Sequence, residues 1–298
     1  MADDFVKQLN DYVDGCVRHY LETPENLKGF LTFLAGFRSN VSTRNKILTM
    51  GYNPAATEIR TKEDWGKQGV EVNDETAVIY NIQQNKEGGY KERIMYDVSA
   101  TDEIPTSYEQ FPNAGFFAER LILYPPCPIR FREPPLNENR KASYEPEKGI
   151  IEVTCGYKSE EHVCYGLLRE FAHYYLRENE MQMSKNADGH GHGKIAEYDR
   201  DRHGIEALAV SYAICTRYGI QPADIEVVHP PDGKPKDLLR ILEGLDRAIQ
   251  KISKLIDDGG KEHRRFFQSG NTVEEGSGQS DTTRMEQPKN HSRAHGRG

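Results

Sequence analysis

The sequence predicts an α+β fold, on three observations. Apolar residues recur at helical spacing in two stretches near the start, short strand-like patterns follow them, and residues 105–258 repeat the theme with a strand and then amphipathic helices.

Taken in order, the first helix covers Phe5 to Tyr20, with Phe5, Leu9, Tyr12, Val13, Cys16 and Val17 on one face. A second begins after Thr23-Pro24-Glu25-Asn26 and places Leu27, Phe30, Leu31, Leu34 and Phe37 at helical spacing. Ser42 is placed to cap a third, Thr43 to Met50, which stops before Gly51 and Pro54. Short strands are expected at Glu71-Val72, Ala77 to Ile82 and Arg93 to Val98, with Glu87-Gly88-Gly89 as a hairpin turn. In the second half Pro125, Pro126, Pro128, Pro134 and Pro135 break up the entry, and Gly149 to Val153 reads as a strand. Ser159 sits where a cap belongs, ahead of Val163, Leu167, Leu168, Phe171, Tyr175 and Leu176. A loop rich in Gly, Asp and His separates this helix from one over Arg202 to Tyr218, stopped by Gly219. Leu238, Leu242, Leu245, Ile249, Ile252 and Ile256 then make a core-facing stripe along Asp237 to Ile256. The expected division is 1–104, 105–258 and a disordered tail, 259–298, rich in Gly, Ser, Gln, Asn and charge.

Composition excludes several classes. No apolar run approaches the roughly 18 residues that span a bilayer, and Met1-Ala2-Asp3-Asp4 opens no secretory signal. A cytoplasmic protein without a membrane partner is expected. Five scattered cysteines with no C-x-x-C spacing predict reduced thiols. A formal charge of -8 argues against non-specific duplex binding, though a local basic groove with aromatic stacking suffices for single strands.

The chemically informative stretch is Leu167-Leu168-Arg169-Glu170-Phe171-Ala172-His173. In an H-E-x-x-H helix, two histidines at i and i+4 bind zinc and the Glu is general base on the metal-bound water. Glu170 and His173 keep that register, but Arg169 stands where the first histidine belongs. Glu206, in His203-Gly204-Ile205-Glu206-Ala207, is the candidate third ligand. Each fragment alone is weak; their order on two helices behind a strand is more specific.

With those residues in place, the second half resembles the zincin-like domain of ArdC-type antirestriction proteins and the related LtrC-like proteins of mobile elements. Ala142-Ser143-Tyr144, Ile150-Ile151-Glu152-Val153 and Glu206-Ala207 with Tyr212 match that domain's pattern. The first half is similar to the family's single-strand-binding domain through Phe30-Leu31 to Phe37, Ser42-Thr43-Arg44-Asn45, Pro54-Ala55-Ala56-Thr57, Trp65 to Gly69 and Tyr96 to Thr101. The departures are Arg169, Val41 where the family tends to have Tyr, and Ala100 in place of Gln. The resemblance implies a small mixed N-terminal domain that binds single-stranded DNA, followed by a degenerate zincin-like domain.

Arginine stays protonated and has no usable lone pair, so Arg169 is expected to replace the metal by pairing with Glu170 or Glu206, leaving no cofactor. The alternative is a zinc peptidase in which His190 or His192 joins His173 and Glu206 and Glu170 is the base. A third reading is a protein-interaction module, and a protein partner for the zincin-like domain is open in each. For DNA the candidates are Arg38, Arg44, Asn45, Lys46, Arg60, Lys62, Trp65 and Lys67, with Tyr52 or Trp65 to stack bases. The plainer readings are Trp65 as a core anchor and Ser42 as a helix cap.

Overall fold

The stripe predicted for the first helix is what buries it. In the computed structural model α1 (Ala2–Glu22) turns Leu9, Val13 and Val17 inward. Thr23 Oγ1 then accepts from the Asn26 amide at 3.2 Å and Pro24 occupies the first turn of α2 (Pro24–Gly36). Ser42 does the same for α3 (Thr43–Tyr52), accepting from the Asn45 amide at 3.3 Å. The structure describes residues 2–73, 76–84, 89–133, 142–154, 156–188, 198–226, 228 and 232–270.

The chain is a mixed α+β protein with two small sheets. β1 (Ile59–Arg60), β2 (Ile79–Gln84) and β3 (Tyr90–Asp97) form an antiparallel sheet in the order β1-β3-β2. Its hairpin register runs from Ile79↔Met95 to Gln84↔Tyr90, which puts Ile79, Ile82 and Met95 in the core. The expected strand at Glu71-Val72 is only a bridge from Val72 to Thr101. Short α4 (Lys62–Gly66) follows β1 and is capped by Thr61. The second sheet has the order β4-β6-β5, with β4 (Ile129–Arg132) parallel to β6 (Ile150–Thr154) and β5 (Ala142–Glu145) antiparallel to it. Between the sheets lies α5 (Ala114–Leu123), which buries Phe117 and Leu121 and begins at Asn113, whose Oδ1 accepts from the Phe116 amide at 3.1 Å. Then come α6 (Glu160–Asp188), α7 (Gly204–Arg217) and α8 (Pro235–Gly270). Among the described residues no helix is long and apolar enough to cross a membrane, and four free cysteines, Cys16, Cys127, Cys164 and Cys215, occur.

The halves on either side of residue 104 share one core, and Met1–Gly259 form one compact unit. Buried Arg217 at the end of α7 donates to the Ala35 and Leu34 carbonyls at 3.0 and 2.6 Å, supplying partners to the end of α2. It also donates to Ser253 Oγ of α8 at 2.6 Å. The change of composition at 104 is therefore not a break in packing. The expected tail begins later than 259: α8 continues to Gly270, and 271–298 lie outside the described residues. Glycine at 259 suits a helix here because a Cβ would fall 2.5 Å from Tyr124 Cγ, so the ring packs directly on the backbone. Residues 260–270 form the last stretch of α8.

Candidate functional site

Two places gather chemistry-bearing side chains. The first is on α6, where Glu170 and His173 are 3% and 1% exposed. A carboxylate this deep needs donors. Glu170 Oε2 accepts from the Tyr144 amide of β5 at 2.7 Å, and Oε1 forms an ion pair with Arg200 Nη2. His173 Nδ1 is 2.8 Å from the Tyr198 hydroxyl. The Tyr198 ring stacks flat on His203, with centroids 5.1 Å apart and 4° between the planes. His203 in turn lies between two carboxylates, with Nδ1 2.6 Å from Glu206 Oε2 and Nε2 2.8 Å from Glu180 Oε1. Burial opposes the charge on His203, but the hydrogen bond and charge of Glu206, then those of Glu180, prevail and raise its pKa above the ordinary histidine value. Burial, reinforced by Glu206 and Glu180, pushes the Tyr198 phenol far above its usual value.

This arrangement corrects the expected place of Arg169. Its side chain is exposed, because Leu167, Leu168, Glu170, Phe171, Ala172 and His173 fill the buried arc of α6 and position 169 falls outside it. The guanidinium against Glu170 is that of Arg200, from the turn before α7, and Glu206 is held by His203. His173 faces Tyr198, while the Glu170 and Glu206 carboxylates are tied to Arg200 and His203; no group of three His, Cys, Asp or Glu suited to a metal occurs among the described residues. His190 and His192 lie outside the described residues.

The second place is in the first half, where the expected DNA-contacting residues divide into two sets. Lys46 is 4% exposed, with Nζ 2.6 Å from Asp246 Oδ1 of α8, so it does not reach solvent. Asn45 acts as a short piece of strand: its Nδ2 donates to the Ile82 carbonyl at 2.9 Å and its Oδ1 accepts from the Ile82 amide at 2.8 Å. Arg44 donates to Asn10 Oδ1 of α1. Trp65 is a core anchor, 3% exposed, and its Nε1 donates to the Tyr96 carbonyl at 3.1 Å. Tyr52 is exposed against Tyr80, and Lys62 is exposed on α4, away from the walls described next.

Arg38, Arg60 and Lys67 do converge, and Arg93 joins them. All four line a cleft of about 470 Å³, and an adjoining depression of about 440 Å³ shares Arg38, Glu58, Arg60 and Gln68 with it. Arg60 is held by Glu58 at 2.5 Å with its guanidinium 5.1 Å above the Trp65 ring. Arg93 reaches Asp64 at 3.1 Å, and Lys67 reaches both Glu63 and Asp64, at 3.0 and 3.1 Å. Arg38 lies 4.6 Å over the Tyr108 ring, and its Nη1 is buried with no hydrogen-bond partner.

No protein-family model and no curated protein match the chain. Among solved structures it is similar to two crystal structures of the antirestriction protein ArdC from the R388 plasmid. The metal-free structure is 14% identical over 76% of this chain and 88% of that one, with a TM-score of 0.39. The Mn(II)-bound structure is 16% identical over 78% of this chain and 97% of that one, with a TM-score of 0.43.

Proposed function

We propose that this chain is an antirestriction-type DNA-handling protein of a mobile element, which binds single-stranded DNA in the Arg38 cleft. On this reading the zincin-like cluster at Glu170 positions the fold or a protein partner rather than hydrolysing peptides. The observation that carries the proposal is Arg38 Nη1, a buried cationic donor with no hydrogen-bond partner on the wall of a cleft shared with Arg60, Lys67 and Arg93. Leaving such a donor unmet costs about 1–3 kcal/mol, which a phosphate oxygen would recover.

Glu58 and Asp64 already hold Arg60 and Arg93, so few phosphates are neutralised and the salt dependence is shallow. With Lys67 likewise held by Glu63 and Asp64, Arg38 is the contact left, and it predicts a slope of log K against log salt of about -0.7 for single strands. Fluorescence anisotropy with labelled single-stranded and duplex oligonucleotides over a salt series tests this. Single strands are expected to bind more tightly, and Arg38→Gln to weaken binding about tenfold and flatten the slope by roughly 0.7. Lys46→Met, inside the core, is expected to leave the slope alone. An absence of single-strand binding at low salt, or an unchanged slope in Arg38→Gln, would overturn the proposal.

A further inference from the structure

A further cavity lies apart from the cleft and from Glu170. It measures about 630 Å³, within the range of small-ligand sites, and draws its walls from α1, α2, α6, α7 and α8. Glu170, His173, Tyr198 and Arg200 are not among them. Leu21, Leu27, Leu176 and Ile241 give it an apolar side.

Its polar side is rich in acceptors. Glu180 and Glu206 each give one oxygen to His203, and each keeps a second acceptor oxygen. Asp201 and Asp237 also line the cavity, and Asp237 holds Arg240 at 3.2 Å. Four carboxylates, Glu180, Glu206, Asp201 and Asp237, face two guanidiniums, Arg202 and Arg240, and the His203 ring, so a cationic guest suits this wall. The independent observation is Asn179. It is 5% exposed and lines the cavity; its Nδ2 donates to the Gly244 carbonyl at 3.4 Å, yet its buried Oδ1 has no hydrogen-bond partner. An acceptor left in that state calls for a donor.

We infer that this cavity binds a protonated alkylamine, its ammonium among Asn179 Oδ1, Glu180 and Glu206 and its aliphatic chain along Leu21, Leu27, Leu176 and Ile241. Ammonium offers three donors and no acceptor, which matches a wall of acceptors, and a methylene chain matches the leucines. The site does not depend on the DNA-binding reading.

The test is calorimetric titration of the full chain, without DNA, with 1,5-diaminopentane and with 1,5-pentanediol of the same length. The diamine is expected to bind with 1:1 stoichiometry and the diol at least tenfold more weakly. Glu180→Gln, a change at a side chain 44% exposed and therefore tolerable to the fold, is expected to weaken the diamine about tenfold. Asn179→Leu is expected to do the same by removing the acceptor. A blocked lysine tripeptide that binds as tightly as the diamine identifies a protein side chain as the guest; weaker binding identifies a free amine. Diamine and diol binding alike, or an affinity unaltered in Glu180→Gln, would overturn the inference. Because no DNA is present, either result leaves the Arg38 cleft to its own test.

Discussion

Lys46 in the first half and Glu170 in the second each carry a charge into the interior, and the two are held differently. The carboxylate that meets Lys46 is saturated by regular elements. Asp246 Oδ1 accepts from Lys46 at 2.6 Å and from Gln250 at 2.9 Å, and Oδ2 accepts from Thr43 at 2.8 Å, so every donor comes from α3 or α8. Burial lowers the Lys46 pKa and Asp246 opposes that shift. Glu170 has one donor from a strand, the Tyr144 amide, but its counter-charge comes from a turn, and the Arg200 side chain remains 19% exposed. A charge locked between two helix registers is a packing device. A charge whose partner sits on a turn beside His173, Tyr198 and His203 can be rearranged at lower cost, because the partner can return to water.

That difference sets the scale of the largest expected effect. Asp246→Ala leaves Lys46 buried without its counter-charge and is expected to cost about 3–5 kcal/mol. Urea unfolding measures it, and the pairing of Lys46→Met with Asp246→Leu should recover most of the loss, since a well-packed apolar pair can stand in for a buried ion pair. Glu170→Gln keeps an acceptor for the Tyr144 amide and lets Arg200 hydrate, so its expected cost is smaller, about 2 kcal/mol. If both substitutions cost the same, the two pairs belong to one class and the contrast fails.

What was legible in the residues follows the same division. The stripe from Leu238 to Ile256, the cap at Ser42 and the β2–β3 hairpin are local patterns, and each formed near its expected place. Asn113 ahead of Phe117 and Leu121 was an equally local signal for α5, hidden by the neighbouring prolines. Lys46 and Asn45 looked like phosphate contacts because a lysine and an asparagine near arginines default to the surface. Their depth is set by Asp246, two hundred positions away, and by the backbone of Ile82. Arg200 and Tyr198 carried no signal at all, since residues of a turn have no period; only His203, three before Glu206, had helical spacing to its partner. In the cleft, Arg38, Arg60 and Lys67 were legible as cations, whereas Arg93 became their neighbour only through the pairing of β1 with β3.

The smallest expected effect concerns His203, and it tests whether the turn region is held by charge. Its folded pKa is raised, so protonation favours the folded state. That contribution is fully present below the unfolded value of about 6.5 and is lost as pH rises through the folded value. His203→Gln should therefore cost roughly 1 kcal/mol at mildly acid pH, the scale of a partly solvated ion pair. The gap between variant and wild type should close on the alkaline side of 6.5. Glu180 and Glu206 face the ring from α6 and α7 and supply the attraction. Thermal unfolding of both proteins between mildly acid and mildly alkaline pH measures the gap. A gap of constant size would mean that His203 is held as a neutral ring stacked on Tyr198, and that packing, as at Lys46, governs the second region as well.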